Sequence, residues 1–246
     1  MMREKELAVR MHMTQWGGLR LGSGRINRSG TVNHMTRTKI TLKNPLHLTL
    51  KLKSKLPTLR QRTLFKEFKK SIHNAQRFGL YVIHFSIQYN HIHLIAEAKS
   101  NDAIARGMRS FAGRFAKIIR KYTHKIGYGP NKGSVFKGRY HLHVLRTSLE
   151  VKNALKYVLL NTSKHTGLIE HIDEYSSAPY FMQWKKLIGT KFTAMIREEV
   201  EQWFYPKYER DRRRRQTPQS SFAECENWYL SKPKSYLANV GWMRVA

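Results

Sequence analysis

The sequence predicts an α/β (α+β) fold: a mainly antiparallel sheet with helices on one face. Period-two alternation marks the strands and period-3.6 apolar stripes mark the helices. The segments follow in the order strand, helix, strand, strand, helix, strand, helix. The first strand is 47–53, where Leu48, Leu50 and Leu52 alternate with polar residues. A basic amphipathic helix follows over 59–78, with Leu64, Phe65, Phe68, Ile72 and Ala75 at helical spacing.

The segment 81–97 reads as a hairpin turning at Tyr89-Asn90. A two-residue turn pairs Ile87 with Ile92, Phe85 with Leu94 and Ile83 with Ala96, which makes one apolar sheet face. The other face then carries His84, Ser86 and Gln88 opposite Ile95, His93 and His91, a polar platform. Asn101 or Asp102 caps the next helix, whose stripe is Ile104, Met108, Phe111, Phe115, Ile118, Ile119 and Tyr122. Residues 135–145 are strand-like. Thr147 to Glu150 form a capping box that opens a third helix with the stripe Val151, Ala154, Leu155, Val158 and Leu159.

Charge bounds the function. The 246 residues carry 46 Lys+Arg against 16 Asp+Glu, a formal charge of +30. A hydrophobic fraction of 41% with 11% aromatics is enough for a core, so this is not a disordered basic tail. Such an excess is self-repelling unless a polyanion neutralises it, and nucleic acid is the expected one. A membrane is not expected, because no stretch reaches the length of a spanning helix. No apolar signal-peptide core opens the chain and Cys225 is its only cysteine, so a reducing, cytoplasmic setting is expected. Residues 1–44 read as a Gly/Arg-rich basic arm, with Arg20, Arg25 and Arg28 as candidate DNA contacts or as a solvated tail. Arg106, Arg109 and Arg114 on the second helix and Lys137, Arg139 and His141 before the third extend the candidate DNA-binding set. The folded domain is expected over 45–180, and 181–246 is a basic C-terminal extension without an assigned role, with helix expected over 181–205.

His91-Ile92-His93 is the first chemical signal. Residues i and i+2 of a strand point the same way, so two imidazoles form half a metal site on a rigid support, or a solvated pair. His141-Leu142-His143 is a second such pair; beside Lys137 and Arg139 its alternative is phosphate contact. Tyr157 lies beside the apolar stripe of the third helix, with Asn161 at i+4 on the same side. It is either a core-edge packing residue or a nucleophile for a phosphodiester.

These residues resemble a known family. The run from His84 to Leu94, Arg106-Gly107-Met108, Gly138 to His141, and Ala154 to Asn161 resemble the IS200-like single-tyrosine transposases, and among them the REP-associated tyrosine transposases, over about 45–179. The resemblance implies a ferredoxin-like nuclease core of the HUH type, with His91, His93 and Asn161 holding Mg²⁺ or Mn²⁺. It implies Tyr157 as the nucleophile that becomes joined to a 5′ phosphate, single-stranded or hairpin DNA as partner, and a monomer or homodimer. This chain has Asn161-Thr162 where many relatives have Asn-Pro. Three other readings stand beside it: a DNA- or RNA-binding module that cuts nothing, a domesticated transposase on the same fold, and a metal-dependent RNA phosphodiesterase.

Overall fold

Leu46, Leu48 and Leu50 are buried, alternate with the half-buried His47 and Thr49, and make β1 (Leu46–Lys51). In the computed structural model, which describes residues 39–128, 133–161, 172–181, 183–188 and 229–245, six further elements follow. They are α1 (Arg62–Gln76), β2 (Leu80–Ile87), β3 (His91–Ala98), α2 (Asn101–Lys125), β4 (His141–Val144) and α3 (Ser148–Leu159). The order of elements is the expected one. The four strands form one antiparallel sheet, β2-β3-β1-β4.

The hairpin register agrees with the pattern for Ile87 with Ile92 and Phe85 with Leu94, and departs beyond them. A bulge at Ile83 sets Val82, not Ile83, opposite Ala96. The turn is pinned by its own carbonyls: Leu59 N donates to Tyr89 O at 2.9 Å and Leu52 N to Asn90 O at 2.7 Å. Leu46, Leu48, Phe85, Ile92 and Leu94 form one apolar face, covered by Leu64, Phe68 and Ile72 of α1 and Met108, Phe111 and Phe115 of α2. Phe68 is fully buried and packs on Phe85, Phe111 and Phe115 with ring centroids 5.0, 5.6 and 5.5 Å away. Burying one such ring stabilises the fold by roughly 1.5–3 kcal/mol.

The third helix corrects one expectation. It does not join α1 and α2; it packs on the opposite face, where Val151, Leu155, Val158 and Leu159 meet Ile95 and Leu145. The reason lies in Ile95, an apolar residue in the polar phase of β3, which gives α3 an apolar seat among histidines. The capping box forms as expected: Glu150 N donates to Thr147 Oγ1 at 3.1 Å and Thr147 N to Glu150 Oε2 at 3.1 Å.

Two further expectations are corrected. Ser100, not Asn101 or Asp102, caps α2, accepting from Ala103 N at 3.2 Å. Asn101 Oδ1 instead accepts from Ile40 N at 2.9 Å, and Asp102 pairs with Arg106 at 3.1 Å. The segment 135–145 is not one strand: Phe136 bridges Leu52, the chain turns at Gly138 with φ 67°, and β4 begins at His141.

Two later segments close the outer edge of β2. Ile87 N donates to Tyr175 O and Ser177 N to Phe85 O, each at 2.9 Å, while Arg60 grips Asp173 through two 2.7 Å bonds. In the C-terminal extension, Ser231 N donates to Val82 O at 2.8 Å. The fully buried Glu97 carboxylate accepts from Lys234 N and Ser235 N, both at 2.8 Å. The described part of that extension, 229–245, thus packs on the sheet. Of the helix expected over 181–205, Trp184–Ile188 is helical and 189–205 lie outside the described residues. No helix among the described residues is long and apolar enough to cross a membrane.

Gly107 is where α2 comes closest to β2: a Cβ there would lie 2.3 Å from Leu80 Cβ. Gly107→Ala therefore forces the helix off the sheet. The expected loss is about 1–3 kcal/mol, measured by chemical denaturation.

Candidate active site

The two-residue period of β3 sends Ile92, Leu94 and Ala96 into the core and turns His91 and His93 to the other face. Thr49 of β1 and Ser86 of β2 flank His93 in register, and Lys51 stands beside His91. On β4, His141 is in register with Thr49 and His143 with His47. Both His-x-His pairs therefore share one sheet face, with His47 and Thr49 between them.

Tyr157 reaches this face from α3. Its hydroxyl is 3.5 Å from His93 Nε2, and the two rings stand at 84° with centroids 5.0 Å apart. Its ring also meets that of His47 edge-on at 5.8 Å. His93 is held from behind: Nδ1 lies 3.1 Å from Thr49 Oγ1 and 3.1 Å from His47 Nε2. With the proton on Nδ1, its Nε2 presents a lone pair toward Tyr157. His91 is set the same way, its Nδ1 2.8 Å from Asn90 Oδ1. The rings of His91 and His93 are 4.8 Å apart and nearly perpendicular.

Burial keeps His93 and His47 neutral. His93, only 4% exposed, has its pKa pushed down to about 3 by burial, with His47 and His91 adding to the effect. His47 is pushed down to about 4, chiefly by burial and then by His143 and His141. Neutral imidazole with its second nitrogen anchored is the form that ligates a cation. Asn161 is 1% exposed and its amide nitrogen has no hydrogen-bond partner, so this buried carboxamide has bonding capacity unspent. Its amide nitrogen and oxygen exchange places on a half-turn of the group. Among the described residues no cluster of three or more His, Cys, Asp or Glu side chains suits a metal. A divalent cation here would rest on His91 and His93 and would need oxygen donors to complete its shell.

The predicted DNA contacts separate into groups. Arg20, Arg25 and Arg28 lie outside the described residues. Arg106 pairs with Asp102, and Arg114 lies 3.9 Å from Glu67. Arg109, Lys137 and Arg139 come together around one cavity. His141 is exposed on β4, and His143 lies 3.7 Å from Glu150.

Sequence reasoning missed His47 and Thr49. Their signal was present, since His47-Leu48-Thr49 repeats the polar–apolar–polar phase of His91-Ile92-His93. Only strand order makes them neighbours. His84, on the same face, approaches Ser177 Oγ at 3.2 Å and packs edge-on against Phe181. Burial lowers its pKa from 6.5 to about 4. The unfolded chain therefore binds a proton there that the folded chain does not. The contribution is whole above pH 6.5 and is lost as pH falls toward 4. Urea unfolding should show the wild type losing about 2 kcal/mol more than His84→Asn between pH 7 and pH 5.

A search of curated proteins finds no match. Among solved structures, one of a REP-associated tyrosine transposase bound to a REP hairpin is similar. It is 17% identical, covers 59% of this chain and 82% of that chain, and has a TM-score of 0.46. The family model described as "Transposase IS200 like" matches residues 42–161. That span begins just before β1 and ends at Asn161, enclosing the whole sheet, both His-x-His pairs and Tyr157. Over residues 42–161, the span that carries the sheet and Tyr157, this chain is similar to the IS200-like transposase family.

Proposed function

We propose that this protein nicks and rejoins single-stranded, hairpin-associated DNA through a covalent 5′-phosphotyrosine at Tyr157, using Mg²⁺ or Mn²⁺. The observation that carries it is the Tyr157 hydroxyl 3.5 Å from His93 Nε2, brought there from an element 64 residues away. A tyrosine used only for packing has no need of that partner.

The residues divide the work. His91 and His93 hold the cation, with Asn161 as the third, oxygen-bearing donor. When bound, a divalent cation polarises the scissile phosphate and offsets its charge. His47 and Thr49 fix the ring of His93 and keep its Nε2 lone pair forward. α3, locked by its capping box and seated on Ile95, holds Tyr157 at the edge of the same face. An ordinary tyrosine has a pKa near 10, so its phenol ionises readily at neutral pH only beside positive charge. In the forward step the Tyr157 oxygen bonds to phosphorus and gives its proton to water. The P–O3′ bond breaks, and O3′ leaves with the electron pair and takes up a proton. Attack by a 3′ hydroxyl on the phosphotyrosine reverses the step, so rejoining needs no ATP.

The test is incubation with single-stranded hairpin DNA with and without Mn²⁺, scored for a protein–DNA adduct that survives denaturation. Wild-type protein should form it only with the metal. Tyr157→Phe should bind DNA with unchanged affinity and form none. His91→Ala and His93→Ala should each reduce it to background, while His143→Ala, whose side chain is turned to Glu150, should retain it. Adduct from Tyr157→Phe would overturn the assignment. DNA binding without any adduct in the wild type would favour a binding module or a domesticated transposase on this fold.

A further inference from the structure

A cavity of about 350 Å³ opens at the β4 side of the sheet, between α2 and the segment 134–140. Its lower walls are apolar and aromatic, from Met108, Phe136 and Tyr140. Its rim is cationic, from Lys51, Arg109, Lys137 and Arg139, and among the described residues no carboxylate lines it. That absence is local: Arg106 and Arg114, on the same helix, each stand beside an acidic side chain. The space exists because Ala105, Ala112 and Gly138 line it where larger side chains would fill it.

The outer wall is held in place. Lys53 N donates to Val135 O at 2.9 Å, Lys137 N to Lys51 O at 2.7 Å, and Ser134 Oγ to Phe136 O at 2.7 Å. Arg120 also bonds the carbonyl of Gly133. A wall fixed before binding saves the ligand the ordering cost of a loop.

We propose that this cavity holds one unpaired nucleotide of the strand that reaches Tyr157, its base against Phe136 and Tyr140 and its phosphate on Arg109, Lys137 and Arg139. The inference rests on the reading of the protein as a single-strand DNA enzyme. The volume lies at the low end for a ligand site and is too small for a base pair. An anion alone would need the cations but not the aromatic walls; a base uses both. The cavity opens on the α2 side of the sheet and Tyr157 lies on the α3 side, so the strand between them rounds the end of the sheet. Lys137, Lys51 and His91 sit on three successive neighbouring backbones of the sheet, so the rim is about 10 Å from the histidine strand. A few nucleotides of single strand cover that distance.

The test uses the full-length protein without divalent metal, so that no strand is cut. Fluorescence anisotropy measures binding of single-stranded oligonucleotides in which one abasic position is walked along the sequence. For the wild type, one position should weaken binding about tenfold when its base is missing. Tyr140→Ala should erase that difference, and Ala112→Trp, which fills the cavity while leaving its contacts in place, should do the same. Arg109→Gln with Arg139→Gln should weaken all oligonucleotides alike and lower the salt slope by about 1.4. A flat abasic scan in the wild type would overturn the proposal, as would a sensitive position that persists in Ala112→Trp. Adduct formation is scored separately. Adduct with a flat scan sinks the cavity and leaves the nuclease, and a sensitive position without adduct does the reverse.

Discussion

The parity of β3 governs everything else in this molecule. Successive side chains of a strand face opposite ways, so once Ile92, Leu94 and Ala96 enter the core, His91 and His93 must face outward together. A slip of one residue would put both imidazoles into the hydrocarbon core and three apolar side chains on the polar face. The turn guards against that slip: the carbonyls of Tyr89 and Asn90 are each taken by a backbone N–H from the chain after β1, so the hairpin is tied at its tip as well as along its strands.

From that parity follows the use of both faces. The apolar face takes α1 and α2 and becomes the main core. The histidine face would be left to solvent but for Ile95, which with Leu145 forms the seat of α3. A single apolar residue in the wrong phase thus brings a helix across a polar surface, and with the helix comes Tyr157. Burial under α3 then does chemical work. It strips water from His93 and His47, holds them neutral at physiological pH, and leaves their second nitrogens to each other and to Thr49.

Charge is organised on the same plan. The chain is strongly basic throughout, yet its few carboxylates are not spread evenly. Asp173 holds Arg60 and Glu97 is spent on the backbone of the C-terminal segment, while Asp102 and Glu67 stand beside arginines of α2. Among the described residues no carboxylate lines the cavity between α2 and residues 134–140, so positive potential collects there.

Local pattern by itself determined the element order, the hairpin with its turn, the capping box before α3 and the outward pairing of His91 with His93, because each depends on neighbours within a few residues. Resemblance to a family added the expectation that Tyr157 and these histidines act together. Local pattern also misassigned what tertiary contact decides. Ser100 caps α2 because Asn101 is engaged by Ile40, sixty-one residues away. Residues 135–145 broke into a bridge and a short strand at Gly138. The third helix chose the opposite face. His47 and Thr49 joined the site only when β1 settled between β3 and β4, and the six candidate DNA contacts among the described residues separated into paired, cavity-lining and other groups only in three dimensions. The physical reason is the same in each case. Period and capping are properties of one segment, whereas the identity of a side chain's neighbour is set by strand order and helix placement, which no single segment encodes.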